Sequence, residues 1–204
     1  MTEQELQQYI RQRYPEENAR CEWKEMKNLK NSFNGKEGND VLSYVSAIAN
    51  MEGGELVIGI KDKTLDIVGT DLSALTFNGF MATPLTATFK LVEQCVNLSS
   101  EGLRIEEFVT DDSNKTVWII HIPKHKPRRP VYAHRKAWQH IADSLVEMTS
   151  EREQRILSEP SAAFGDWSAN IIEDATIDDL DPEAIRMARE KYAERHEKRA
   201  KEIF

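Results

Sequence analysis

One segment, residues 41–69, constrains the fold of this chain more than any other. Its first residues place apolar side chains at the i, i+3, i+4 and i+7 positions of a helix, namely Val41, Tyr44, Val45 and Ile48. Asn39 or Asp40 can cap this helix, and the pair Gly53-Gly54 can end it. The pattern therefore predicts a helix with one buried face from Val41 to Met51, central to the fold.

A strand is predicted immediately after the glycine pair. Residues 55–60 (ELVIGI) are apolar enough to be buried on both faces, residues 61–63 turn the chain, and residues 67–69 form a second short strand. This order brings the carboxylate of Asp62 to the rim of a sheet. Functional side chains often lie at such a position.

The remaining patterns predict an α+β fold, with a mixed, mostly antiparallel sheet and packed helices. Helices are predicted after the capping box of Thr2 and Glu5, from Thr83-Pro84 through Val96, and after Ser150. Residues 28–38 are polar with two glycines and predict a loop. The predicted strands are residues 21–24, 103–110, 116–122, 131–132 and 138–141.

Three regions are expected along the chain. Residues 1–157 form the domain, residues 158–180 an acidic linker, and residues 181–204 a charged helix that we expect to be cut from a longer protein. Two separate cysteines, Cys21 and Cys95, and the lack of an apolar signal or membrane span favour a cytoplasmic location without disulfides.

Several segments resemble the Schlafen AlbA-2 domain family. Residues 46–54 (SAIANMEGG), 56–62 (LVIGIKD) and 67–69 (IVG) follow its central pattern, and residues 17–24 (ENARCEWK) resemble its first motif. Residues 130–132 (PVY) and 136–144 (KAWQHIADS) are similar to its closing segment, so the likeness covers about residues 15–157. Four positions depart from the family pattern: Lys61 replaces an acid seen in some members, Asn18 a serine, His140 an arginine and Ala142 a glycine.

The resemblance implies two functions. Bacterial relatives are described as DNA-binding regulatory modules, which implies a transcriptional regulator. Schlafen ribonucleases use three acidic positions that match Glu17, Glu22 and Asp62 here, which implies a catalytic site holding Mg²⁺ or Mn²⁺. Lys24 shares a strand face with Glu22 and would lie near the developing charge. The alternative is structural, with Glu22 and Lys24 as an ion pair and Asp62 in a turn.

A basic segment is the second candidate site. The chain has 35 acids against 27 lysines and arginines, yet residues 113–142 contain no acid and seven bases. Because a phosphate backbone responds to the local field, this segment predicts contacts with DNA or RNA. Trp118, Tyr132 and Trp138 can stack on bases or, for the tryptophans, pack in the core. The predicted phosphate-binding residues, which we call the basic strip, are Lys124, Lys126, Arg128, Arg129, Arg135 and Lys136.

Other chemistries have little support in the sequence. His121, His125, His134 and His140 have no zinc-finger spacing and no cysteine among them. The glycines at 53, 54 and 59 follow a helix and precede a strand, the reverse of a phosphate-binding loop. The acidic tail is interpreted as a linker, or as a nucleic-acid mimic that covers the basic strip.

Three functions therefore stay open from the sequence. The first is a DNA-binding module that contacts the phosphate backbone, and the second is a metal-dependent endoribonuclease. The third is an interaction or homo-oligomerisation module formed by the C-terminal helix. No membrane partner is expected.

Overall fold

The fold is that of a computed structural model, which describes residues 1–15, 17–18, 20–61, 64–142, 144–160 and 181–195. The chain divides into two compact units, Met1–Ser161 and Ala162–Phe204. The first unit holds all the strands of the described residues. Its helices and strands confirm the α+β prediction with a mostly antiparallel sheet.

The elements of the first unit follow one another with short connections. The helices are α1 (Glu3–Arg13), α2 (Leu29–Phe33), α3 (Val41–Asn50), α4 (Pro84–Gln94) and α5 (Ser150–Leu157). The strands are β1 (Cys21–Lys24), β2 (Gly54–Ile58), β3 (Thr76–Phe77), β4 (Phe80–Met81), β5 (Arg104–Val109), β6 (Thr116–Ile122), β7 (Tyr132–Ala133), β8 (Lys136–Ile141) and β9 (Ser144–Glu147).

A four-stranded sheet in the order β1-β2-β6-β5 forms the centre of the unit. Strand β1 pairs with β2 in parallel, and the other two pairings are antiparallel. The alternating side chains of β2 and β6 give two cores. Val57 and Ile119 pack with α1 on one face, whereas Leu56 and Ile120 pack with α3 on the other.

Helix α3 lies between this sheet and a second, antiparallel sheet of β7, β8 and β9, and all ten of its residues are buried. Asp40 is the N-cap and accepts a hydrogen bond from the Ser43 amide at 2.9 Å. The other carboxylate oxygen of Asp40 lies 2.7 Å from His134 Nε2. The helix predicted from the sequence is thus confirmed, with Asp40 rather than Asn39 as its cap.

The side chain of Asn50 connects α3 to the second sheet. Its Nδ2 donates to the carbonyl oxygens of Val131 at 2.8 Å and Trp138 at 3.1 Å, and its Oδ1 accepts from the Val131 amide at 2.7 Å. Ser46, one turn earlier, donates to the same Val131 carbonyl at 2.8 Å. Since Asn50 is fully buried, these bonds satisfy groups that water cannot reach.

Gly53 and Gly54 allow the chain to pass from α3 into β2. Gly53 has φ +69° and ends the helix, as predicted. At Gly54, with φ +150°, a Cβ would lie 2.0 Å from the carbonyl oxygen of Arg20. No side chain fits there without moving the backbone that leads into β1.

Several predicted elements differ from the observed ones. The loop predicted for residues 28–38 contains α2, which Asn28 caps and which buries Leu29 and Phe33. The helix predicted to pass through Val96 ends at Gln94. The strand predicted for residues 67–69 makes one bridge, Ile60 to Ile67. Thr149, rather than Ser150, caps α5, and the sequence prediction missed β3, β4 and β9.

The second unit contains the helix α6 (Pro182–Arg195) among its described residues, within the predicted 181–204 helix. Arg186 forms ion pairs with Glu183 and Glu190 on its surface at 2.5 Å each. The predicted acidic linker lies almost wholly at residues 161–180, outside the described residues, as does the predicted end of the helix.

We expect Asn50→Ala to lower the free energy of unfolding by about 3 kcal/mol, because it removes the side-chain partner of the buried Val131 amide and of the Trp138 carbonyl and leaves the Val131 carbonyl with Ser46 alone. Chemical denaturation measures the change. The control Asn39→Ala removes an exposed side chain and should cost less than about 0.5 kcal/mol. Equal losses in the two variants would contradict the role of Asn50.

We expect Gly54→Ala to destabilise the fold far more than Gly79→Ala. Both glycines have positive φ, at +150° and +84°, but a Cβ on Gly79 meets no atom within 4 Å. Gly79→Ala should therefore cost only backbone strain, about 1 kcal/mol, whereas Gly54→Ala should cost at least about 3 kcal/mol. Melting temperatures of the two variants measure the difference. Similar values would show that backbone strain, not the Arg20 contact, selects glycine at 54.

Candidate nucleic-acid interface and acidic cluster

Two of the three predicted metal ligands meet beside Lys24. Glu22 and Lys24 project from the same face of β1 and form an ion pair. Glu17 Oε1 lies 4.0 Å from Lys24 Nζ and accepts a hydrogen bond from the Trp23 amide at 3.0 Å. We call Glu17, Glu22 and Lys24 the acidic cluster. Glu22 and Lys24 are two residues apart on β1, and this spacing confirms the shared strand face predicted from the sequence.

Tyr44 and His140 border the acidic cluster, and the sequence analysis did not place either of them there. The Lys24 ammonium lies 5.0 Å from the centre of the Tyr44 ring, a cation–π arrangement. The His140 ring packs edge-on against Tyr44, and its Nδ1 lies 4.0 Å from Glu22 Oε2. Tyr44 comes from α3 and His140 from β8, so only the folded chain brings them to β1.

Burial determines the protonation of these neighbours. Burial lowers the pKa of His140, and the nearby Glu22 carboxylate opposes this only in part, so the ring is neutral at pH 7. Burial also acts to lower the pKa of Lys24, but its hydrogen bond to Glu22 and its other contacts outweigh burial and raise it. Burial raises the pKa of Tyr44. The cluster therefore holds a permanent ammonium beside a neutral imidazole.

The third predicted ligand, Asp62, lies outside the described residues, so the three-carboxylate site stays a prediction. Among the residues that the structure describes, no group of three or more histidines, cysteines or acids is arranged to hold a metal ion. Glu17 and Glu22 still suit Mg²⁺, which is commonly bound through one or two carboxylates and keeps several waters.

The basic strip divides into two parts at opposite ends of α3. Lys124, Lys126, Arg128 and Arg129 lie in the loop after β6. This loop is attached to the C-terminal end of α3, where the amide and Nδ1 of His125 donate to the carbonyl of Ala49 at 2.8 and 3.0 Å. The buried His125 thus carries a proton on Nδ1, because a carbonyl oxygen only accepts.

The other part of the strip is a hairpin turn at the N-terminal end of α3. His134 and Arg135, at φ +54° and +64°, connect β7 to β8 in a two-residue turn, and Ala133 pairs with Lys136. The bond from His134 to Asp40 attaches this turn to the helix cap. The two ends of α3 are roughly 14 Å apart, the rise over nine residues.

Some cations of the strip have partners that lie far away in sequence. Lys124 Nζ is 3.1 Å from Glu52 Oε2, and Lys136 Nζ lies 2.6 Å from Glu37 and 3.4 Å from Glu147. Arg128 Nε donates to the Leu157 carbonyl at 3.2 Å, which leaves its charge unpaired. The number of bases in the acid-free residues 113–142 therefore overstates the positive charge that is free to bind an anion.

Three cations of the strip are exposed and form neither an ion pair nor a side-chain hydrogen bond with any described residue: Lys126, Arg129 and Arg135. Arg20 and Arg152, which sequence analysis missed, lie near enough to Glu52 to lower its pKa together with the hydrogen-bonded Lys124. Positive charge from three distant segments thus meets at the C-terminal end of α3.

The two tryptophans of the basic segment lie in the core and are not stacking platforms. Trp118 and Trp138 are buried, and their Nε1 atoms donate to Glu107 at 2.8 Å and to the Ala133 carbonyl at 3.1 Å. The structure confirms the core interpretation of both tryptophans. Tyr132 is half-buried, and burial together with a hydrogen bond to Glu153 raises its pKa to about 12.

The four histidines of the segment serve separate contacts. His125 and His134 fasten the two ends of the strip to α3, and His140 borders the acidic cluster. His121 lies between Glu106 at 3.2 Å and Glu55 at 3.5 Å.

Comparisons with known proteins identify one family and two solved structures of low similarity. The model of the family described as Schlafen, AlbA_2 matches residues 17–149. The DIP2311 protein from Corynebacterium diphtheriae has a TM-score of 0.43 and 20% identity over 87% of this chain, which spans 30% of that protein. The N-terminal domain of a RecG-related protein from Nitrosomonas europaea has a TM-score of 0.36 and 20% identity, with coverage of 74% of this chain and 92% of that one. No curated protein matches.

Within the described residues, no helix is both long enough and apolar enough to cross a membrane. The family match covers well over half of the sequence, from Glu17 of the acidic cluster to Thr149, the N-cap of α5. This chain belongs to the Schlafen AlbA_2 family.

Proposed function

We propose that this chain is a nucleic-acid-binding module of a transcriptional regulator, which contacts the phosphate backbone of DNA through the basic strip. The observation that carries the proposal is the set of exposed cations whose side chains have no partner among the described residues, Lys126, Arg129 and Arg135. They lie within one acid-free segment, so a polyanion can neutralise them together. Membership of the Schlafen AlbA_2 family also supports association with nucleic acid.

The two-part arrangement of the strip suits a duplex backbone. The two parts are attached to opposite ends of α3, whose axis spans roughly 14 Å, the length of about four base pairs of duplex at 3.4 Å each. Both parts lie on loops attached to the buried helix α3, so their backbone is held in place before binding and mainly the side chains lose freedom on contact. Contacts of this kind give affinity and orientation rather than base specificity.

The paired lysines of the strip contribute less than the unpaired cations. To meet a phosphate, Lys124 must leave Glu52, and Lys136 must leave Glu37 and Glu147. Exposed ion pairs of this kind stabilise the protein by at most about 1 kcal/mol each, so breaking them costs little. The cost still offsets part of the free energy gained from the phosphate contact.

We expect the triple variant Lys126→Ala, Arg129→Ala, Arg135→Ala to bind duplex DNA more weakly and with less dependence on salt. Each lost phosphate contact should reduce the slope of log K against log salt by about 0.9, so the variant should lose about 2 to 3 units of slope. Fluorescence anisotropy across a salt series measures both quantities.

The control variant removes three positive charges outside the strip, as Arg11→Ala, Lys27→Ala, Lys30→Ala. These three side chains are also exposed. Its slope should stay close to that of the wild type. If both triple variants lose the same slope, binding depends on net charge and the basic strip is not the interface.

The second candidate function is a metal-dependent endoribonuclease, favoured by the two carboxylates within 4.0 Å of Lys24 Nζ. Glu17 and Glu22, with Asp62 as the predicted third ligand, would hold Mg²⁺ or Mn²⁺. That ion, when bound, supplies an activated water and neutralises charge on the scissile phosphate. The Lys24 ammonium, held beside the Tyr44 ring, would lie next to the negative charge that develops on the oxygens of the scissile phosphate.

If the chain is a nuclease, we expect it to cleave structured RNA with Mn²⁺, to stop in EDTA, and to slow by at least about 100-fold in Glu22→Gln. Gel analysis of labelled tRNA measures cleavage. The control Glu93→Gln, an exposed acid on α4, should leave the rate unchanged. Intact RNA under all conditions, with binding retained, would exclude the nuclease and leave the binding module.

A further inference from the structure

An open pocket adjoins the second part of the basic strip. It has a volume of about 290 Å³ and lies where the C-terminal end of α4, strand β7 and the turn between β7 and β8 meet. None of the described residues that line it is acidic. The residues that matter for binding are Leu42, Gln94, Val96, Tyr132, His134 and Arg135.

The walls of the pocket are mostly apolar and their polar atoms are largely satisfied. Val96 is 59% exposed, and its backbone exchanges two hydrogen bonds with Tyr132, at 2.9 and 3.0 Å. The Tyr132 hydroxyl donates to Glu153 at 2.7 Å, and Leu42 is buried. These residues therefore offer contact surface to a flat apolar group and few polar atoms that compete for it.

The side-chain amide of Gln94 is without a partner in this pocket. Its Oε1 is buried and accepts no hydrogen bond from any described residue. A buried acceptor without a partner costs free energy, and folded proteins contain few of them. Because the last torsion angle of glutamine is broad, the amide can turn toward a ligand and offer it both an acceptor and a donor.

We propose that this pocket receives one unpaired nucleobase of the nucleic acid whose phosphates contact the basic strip, an inference that rests on the proposed function. The pocket has room for about ten waters at about 30 Å³ each, and adenine has about ten non-hydrogen atoms. The faces of the base pack against Val96 and Tyr132, and its edge bonds to the amide of Gln94, as glutamine commonly does with adenine.

Arg135 favours a nucleobase over other occupants of this size. Its guanidinium forms neither an ion pair nor a side-chain hydrogen bond with any described residue, and it lines the same pocket. It can therefore neutralise the phosphate of the nucleotide whose base is bound. An apolar side chain of a partner protein would fit the walls but would leave both Gln94 and Arg135 without partners.

The pocket implies a preference among nucleic acids. A base inside an intact duplex must leave the stack to enter a pocket, and the cost is smallest for a base that is already unpaired. We therefore expect the chain to prefer DNA with a bulged or single-stranded base over a fully paired duplex.

Fluorescence anisotropy of the full chain with two bulged duplexes tests the proposal. The duplexes share sequence, length and number of phosphates, but one bulge carries an adenine and the other an abasic nucleotide. The wild type should bind the adenine bulge about tenfold more tightly, the effect of one packed base. Val96→Trp fills the pocket and should bind both duplexes with the affinity that the wild type has for the abasic one.

Two further variants sharpen the test. Gln94→Met keeps the length of the side chain without its amide, and should bind the adenine bulge about fivefold more weakly while its affinity for the abasic duplex stays unchanged. The control Val109→Trp places the same ring on an exposed residue of β5 outside the pocket, and should keep the full preference for adenine.

The abasic duplex separates this inference from the function on which it rests. A wild type that binds neither duplex would contradict the phosphate-binding function, and the base pocket with it. Equal, salt-dependent binding of both duplexes by the wild type would overturn the base pocket alone. A preference for adenine that survives both Val96→Trp and Gln94→Met would also overturn it. Unchanged affinity for the abasic duplex shows that a variant is folded.

Discussion

The buried amide of Asn50 is the interaction on which both candidate surfaces depend. It binds the backbone of Val131, where the loop with the first part of the basic strip ends, and of Trp138, two residues before His140. Ser46, one turn earlier on α3, reinforces this connection through bonds to the same two residues, the Val131 carbonyl and the Trp138 amide. The loop cations and the residue that borders the acidic cluster are therefore positioned in part by one buried side chain. A carboxylate of the same shape could not replace it, because Asn50 must donate and accept at once.

The central part of the fold is predictable from the sequence because local and tertiary preferences agree there. The apolar period of α3, the N-cap at Asp40 and the Gly53-Gly54 pair after its last turn all indicate the same helix, and the packing confirms it. Strand β6 follows from its apolar run, and the turn before it indicates the hairpin with β5. These elements are long enough for periodicity to distinguish helix from strand.

The missed elements are short, and tertiary contacts stabilise them. Helix α2 has five residues, of which only Leu29 and Phe33 are apolar and buried, too few for a helical period. Strands β3 and β4 have two residues each, and β3 is supported by the contact between the Phe77 and Phe33 rings. That contact joins residues far apart in sequence, so no short segment of the sequence indicates it, and the prediction followed the turn-forming residues instead.

The candidate sites show the same division between local pattern and fold. The spacing of Glu22 and Lys24 on a strand predicts their ion pair, but Tyr44 and His140 reach it from other elements. The basic strip was found from a local excess of charge, while its neutralisation by Glu37, Glu52 and Glu147 depends on the fold. Counting charge along the sequence therefore located the strip but not its effective charge.

The reduced charge of the strip limits how tightly one chain can hold a polyanion. One copy offers only a few unpaired cations, and phosphate contacts weaken steeply at physiological salt. Lys124 and Lys136 must first leave their glutamate partners to contact a phosphate, so each adds less than a free cation does. Binding of nucleic acid by this module should therefore depend more on the few unpaired side chains than the number of bases in the strip indicates.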